Sequence, residues 1–114
     1  MSTTTTLYHN PRCSKSRQAK ALLDEAGADY STCLYLKANL TADDFEAILR
    51  ALGGEPRDHL RRGEDAFKAL PADAGLTQIA QALAADPIML ERPVLISAKG
   101  AAVCRPPERV LALI

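Results

Sequence analysis

The chain has 114 residues, 47% of them apolar and 25% charged, the composition of one folded globular domain with no material for a second core. With 14 basic and 14 acidic side chains its formal net charge is zero, so the overall balance points to neither nucleic acid nor an anionic membrane. No apolar run approaches the roughly 20 residues that span a bilayer, and Met1-Ser2-Thr3 lacks the basic and apolar regions of a signal peptide, so the expected location is the cytoplasm.

Thr3 to Tyr8 is rich in β-branched and aromatic residues and reads as a first strand, which His9-Asn10-Pro11 neither extends nor turns into a helix. Beyond it Ala19, Leu22, Leu23 and Ala26 recur at helical spacing and Gly27 supplies the stop, so Cys13 falls at a helix N-terminus. Tyr30 to Leu36 reads as a second strand, parallel to the first across this helical crossover. Thr41 is an N-cap with Asp44 three residues on, Leu40 and Phe45 are spaced as a hydrophobic staple, and Phe45, Ile48, Leu49 and Leu52 form a buried stripe ended by Gly53-Gly54.

From Pro56 to Ala84 the pattern stays helical but broken, with Leu60, Phe67 and Leu70 apolar, a turn over Pro71 to Gly75, and Thr77 expected to cap a helix carrying Ile79 and Leu83. Arg92-Pro93 then introduces Val94 to Ser97 as a short buried strand; Lys99-Gly100 turns the chain and Ala101 to Cys104 returns as a hairpin. Pro106-Pro107 starts a last helix bearing Val110, Leu111, Leu113 and Ile114. The expected fold class is α/β, a small mixed β-sheet flanked by helices. Residues 1–114 form one domain, with a helical insertion at about 40–88 between the second and third strands.

Cys13 carries the chemistry. Unpaired N–H groups and the dipole at a helix N-terminus favour an anion, and Arg12, Lys15 and Arg17 add positive charge. A free thiol titrates near ~8.5, and such settings lower it to roughly 3.5–7.5, so Cys13 reads as a thiolate nucleophile. The same donors suit a phosphate-like oxyanion. Three cysteines in unrelated contexts make no disulfide framework and no zinc site, so no metal is expected. Ser16 stands where a dithiol motif would carry its second cysteine, which excludes a disulfide within the motif. Resolution then falls to an external thiol, or to Cys33 or Cys104 if the fold brings either near.

The run Tyr8-His9-Asn10-Pro11-Arg12-Cys13-Ser14-Lys15-Ser16-Arg17, with Glu91-Arg92-Pro93-Val94 and Cys104-Arg105-Pro106-Pro107-Glu108, resembles the glutaredoxin-linked arsenate reductase family and its arsenate-reductase-like branch. The resemblance implies a thioredoxin/glutaredoxin-like fold and reduction of arsenate to arsenite through a covalent intermediate on Cys13. It assigns Cys13 and His9 to catalysis, His9 by lowering the thiol pKa. Arg61, Arg92, Arg105, Asn10 and Ser16 go to substrate binding, with Arg62 the alternative to Arg61, and Pro93 becomes the cis-proline. No bound cofactor is implied; glutathione and glutaredoxin are the implied reductants and partners, with neither nucleic acid nor membrane contacted directly. Two other readings remain open: a redox-responsive regulator of the Spx type that contacts RNA polymerase, and a monothiol glutaredoxin-like protein without oxyanion reduction.

Overall fold

The computed structural model describes residues 5–114, so Thr3 and Thr4 of the expected opening strand lie outside the described residues. The chain divides into two units: the residues up to Ala38 together with Arg92–Ile114, and the segment Asn39–Glu91 between them.

The first unit is built on a four-stranded sheet of order β2-β1-β3-β4, from β1 (Thr6–Tyr8), β2 (Ser31–Cys33), β3 (Val94–Ser97) and β4 (Gly100–Val103). β1 and β2 run parallel, with Leu7 opposite Thr32, and are joined by helix α1 (Ser14–Glu25), as a parallel pair requires. β3 lies antiparallel to β1, with Tyr8 opposite Val94, and β4 pairs antiparallel with β3, with Val94 opposite Val103. Helix α1 packs against a C-terminal 3-10 segment, Pro107–Leu113. Leu7, Ala19, Leu23, Leu95, Cys104 and Val110 form the core between them, all fully buried.

The second strand is shorter than the sequence pattern suggests. After Cys33 the chain turns, Lys37 N and Ala38 N both donating to the Leu34 carbonyl. Tyr35 is buried while Leu34 and Leu36 are exposed, so the turn keeps the in-out alternation that makes it resemble a strand.

The second unit contains helices α2 (Ala42–Leu52), α3 (Asp65–Lys68) and α4 (Leu76–Ala85), with 3-10 segments at Pro56–His59 and Pro87–Met89. Helix α2 starts at a reciprocal capping box: Asp44 N donates to Thr41 Oγ1 at 3.2 Å and Thr41 N donates to Asp44 Oδ2 at 2.8 Å. It ends at Gly53, whose φ of 70° suits glycine. Helices α2 and α4 pack together and bury Phe45, Ile48, Leu49, Ile79 and Leu83. The N-cap of α4 is Gly75 rather than Thr77, which sits inside the first turn. Its hydroxyl faces Glu46 Oε1 at 3.5 Å instead of a backbone N–H of its own helix. Leu60 bridges Leu90, and Arg61 N donates to the Met89 carbonyl at 2.7 Å, tying the middle of this unit to its last residues.

Candidate active site

Cys13 is the N-cap of α1, with an extended backbone (φ −94°, ψ 123°) that turns its side chain toward the helix start. The turn is fixed from both sides. Cys13 N donates to the Asn10 carbonyl at 3.0 Å, Arg12 N to Asn10 Oδ1 at 3.0 Å, and the Arg17 guanidinium to the Pro11 carbonyl at 2.8 Å.

The pairing of Tyr8 with Val94 brings the Arg92-Pro93 segment alongside the chain that leaves β1. The Arg92-Pro93 bond is cis, and the Arg92 guanidinium faces the Cys13 sulfur. Partial burial pushes the Cys13 thiol up. The backbone N–H of Ser16, the Arg92 guanidinium and the N–H of Lys15 outweigh it, and its pKa falls below the usual thiol value. Cys13 closes no side-chain cap hydrogen bond of its own to the first turn. Nε and Nη1 of Arg92 are buried without a partner among the described residues, so part of its planar set of donors is left unused.

Arg105 enters from the far end of the hairpin. Cys104 N donates to the Pro93 carbonyl at 2.8 Å, and Arg105 Nη1 donates to the Arg92 carbonyl at 3.3 Å. A second cis bond, Arg105-Pro106, follows it; the family resemblance marks Pro93 alone.

His9 and Ser16 meet each other in the loop before α1 and its first turn. His9 Nδ1 and Ser16 Oγ are 2.6 Å apart, Asn10 N donates to the same hydroxyl at 3.0 Å, and all three residues are buried. Burial lowers the His9 pKa, and the charges of Lys20 and Arg17 add to it, all favouring the neutral imidazole. The charged group acting on the thiol is Arg92, while His9 meets the Ser16 hydroxyl.

Cys13, His9, Asn10, Ser16, Arg92 and Arg105 thus all belong to the first unit, whereas Arg61 and Arg62 belong to the second. Arg61 pairs with Glu64 at 3.1 Å; Arg62 pairs with Asp58 at 3.6 Å and lies over the Phe67 ring. Cys104 is fully buried and its thiol is pushed up to about 11 by desolvation, which makes it an inert core residue. Among the described residues no group of His, Cys, Asp and Glu is placed to hold a metal ion, and no helix is long and apolar enough to cross a membrane.

The sequence profile of the ArsC family matches residues 8–113. The chain belongs to the ArsC family. It is 39% identical to the uncharacterized protein YfgD of Escherichia coli (strain K12) over 95% of this chain and 94% of that one. It is 32% identical to the arsenate reductase of Haemophilus influenzae, over 95% and 97% of the two chains. The solved structure of an arsenate reductase from Vibrio cholerae superposes with a TM-score of 0.89, at 30% identity and over the whole of both chains. The mixed four-stranded sheet with its helices is therefore the thioredoxin-like fold that the motifs imply, and these relatives place this ArsC-family chain among oxidoreductase enzymes.

Proposed function

We propose that this chain reduces arsenate to arsenite through a covalent adduct on Cys13, with glutathione resolving the adduct and glutaredoxin returning Cys13 to its thiolate. The observation that carries the reading is Arg92: its guanidinium faces a thiol of lowered pKa while Nε and Nη1, buried, have no partner among the described residues. A tetrahedral oxyanion offers the acceptors such a fork needs, and its placement there sets arsenic beside sulfur.

The Cys13 thiolate then attacks arsenic; an S–As bond forms, an As–O bond breaks, and the hydroxide that leaves takes a proton to become water. A second thiolate attacks the Cys13 sulfur. The S–S bond forms as the S–As bond breaks, and its electron pair stays on arsenic, which goes from As(V) to As(III) and departs as arsenite. The mixed disulfide on Cys13 is reduced by exchange with a dithiol, the part given to glutaredoxin. A reducing compartment such as the cytoplasm supplies both.

Two features of the site favour this reading over a disulfide switch of the regulator type. Ser16 occupies the position of a second thiol and is committed to His9 and Asn10, while Cys104 is buried and unreactive. Arg105, held by the Arg92 carbonyl, supports an oxyanion role over simple thiol exchange. Arsenate turnover with glutathione and glutaredoxin tests the proposal: the wild-type chain is expected to turn over and Cys13→Ser to be inactive. Wild-type turnover no faster than that of Cys13→Ser contradicts it.

A further inference from the structure

The peptide that joins Pro11 to Arg12, just before the nucleophile, is held at both of its polar ends. Its carbonyl accepts from Nη1 of Arg17 at 2.8 Å, and its N–H donates to Asn10 Oδ1 at 3.0 Å. A trans peptide is planar with these two groups on opposite edges, so a bond at each edge stops the plane from turning. Pro11 adds a fixed φ on the preceding side.

Arg17 reaches Cys13 by a second route. Its own N–H donates to the Cys13 carbonyl at 3.0 Å, which is the first i to i−4 bond of α1. One residue therefore brackets the nucleophile: its side chain holds the carbonyl two residues earlier, and its backbone holds the carbonyl of Cys13 itself. Ser16, its neighbour on the helix, ties His9 and Asn10 in the buried half of the loop, and Arg17 ties Pro11 in the exposed half.

The Arg17 guanidinium has no carboxylate to answer to. It takes part in none of the ion pairs among the described residues, so its charge goes into a charge-assisted bond to a carbonyl, stronger than a neutral one. The sulfur of Cys13 in turn depends on its place, because the backbone N–H groups of Ser16 and Lys15 bond to it. A rotation of the Pro11–Arg12 plane changes the direction of the chain at Cys13 and carries the sulfur off those donors.

We propose that Arg17 is a positioning residue for Cys13. By clamping the Pro11–Arg12 peptide from the first turn of α1, it keeps the sulfur against the N–H groups of Ser16 and Lys15. The proposal rests on the reading of Cys13 as the nucleophile and not on arsenate as the substrate.

The test is alkylation of Cys13 by iodoacetamide against pH in the full chain, with the Cys13 peptide followed by mass spectrometry. Arg17→Ala is expected to move the midpoint up by about half a pH unit, slowing the reaction about threefold on the acid side of the midpoint. The thermal unfolding midpoint is expected to stay near that of wild type, because the lost side-chain bond is exposed. Arg17→Lys returns the charge without the planar fork and is expected to fall between the two. A clamp, unlike a bare charge, survives screening. The difference between Arg17→Ala and wild type is therefore expected to persist in roughly 1 M salt, where the Debye length is about 3 Å. A midpoint unmoved in Arg17→Ala overturns the proposal, and so does a shift that vanishes in salt. Arsenate is absent from the assay, so a chain that reduces no arsenate leaves the clamp standing, and a failed clamp leaves the arsenate reading standing.

Discussion

The hydroxyl of Ser16 sits 2.6 Å from Nδ1 of His9 and accepts the Asn10 backbone N–H at 3.0 Å, so the residue in place of a second thiol is a buried structural bolt. With one lone pair filled by Asn10, it keeps a second lone pair and its proton, so it meets Nδ1 as acceptor or donor according to the tautomer of the ring. Ser16→Ala leaves the His9 ring and the Asn10 N–H buried with one partner fewer, and is expected to cost about 1–3 kcal/mol in denaturant unfolding. Ser16→Cys keeps the volume but donates and accepts poorly, and is expected to fall between wild type and Ser16→Ala.

The lowered pKa of His9 has a definite sign in stability. Between its folded value and 6.5 the unfolded chain binds a proton that the folded chain does not, so the folded state loses ground as pH falls below about 6.5. Unfolding curves collected across that window are expected to flatten in His9→Gln, which has no titrating ring. An unaltered slope in that variant contradicts the assignment.

Arg92 is expected to set the thiolate. The rate of Cys13 alkylation by iodoacetamide against pH should have its midpoint below that of an ordinary thiol, and Arg92→Ala should move it upward, because one of the groups opposing burial is gone. Arg92→Lys should restore part of the shift by charge while still binding oxyanion poorly, since an ammonium lacks the planar fork. A midpoint unmoved in Arg92→Ala contradicts this role.

Cys104 should behave as the opposite of Cys13. Its thiol, buried and pushed up to about 11, is expected to resist alkylation at pH 8 in the folded chain and to react only once denaturant is added. Labelling of Cys104 in the native protein, followed by mass spectrometry of the peptides, checks it.

Much of this architecture is legible in the sequence because it is written in local chemistry. The Thr41/Asp44 box and the Gly53 stop are short-range signals, and the structure has both. The strand-to-helix position of Cys13 is equally local, since it follows from a β-branched run, a proline and a helical period. The failures have a common cause. Leu34 and Leu36 read as strand because a turn anchored by Tyr35 keeps the alternation of a strand, and which apolar side chains face water depends on contacts distant in sequence. Thr77 reads as a cap because threonine favours that position, yet Gly75 starts the helix. Likewise the partner of His9 lies one helical turn into α1, and the unused donors of Arg92 become apparent only once β3 is paired with β1.

The account turns on whether Cys13 sulfur becomes bonded to the oxyanion before a thiol arrives. Full-length protein incubated with glutathione but no glutaredoxin, with and without arsenate, then digested without reductant, is the direct measurement. A glutathione mixed disulfide on the peptide bearing Cys13, appearing only with arsenate and with one arsenite released per adduct, is the predicted result. An adduct that forms equally without arsenate, or that appears on Cys33 instead, contradicts it.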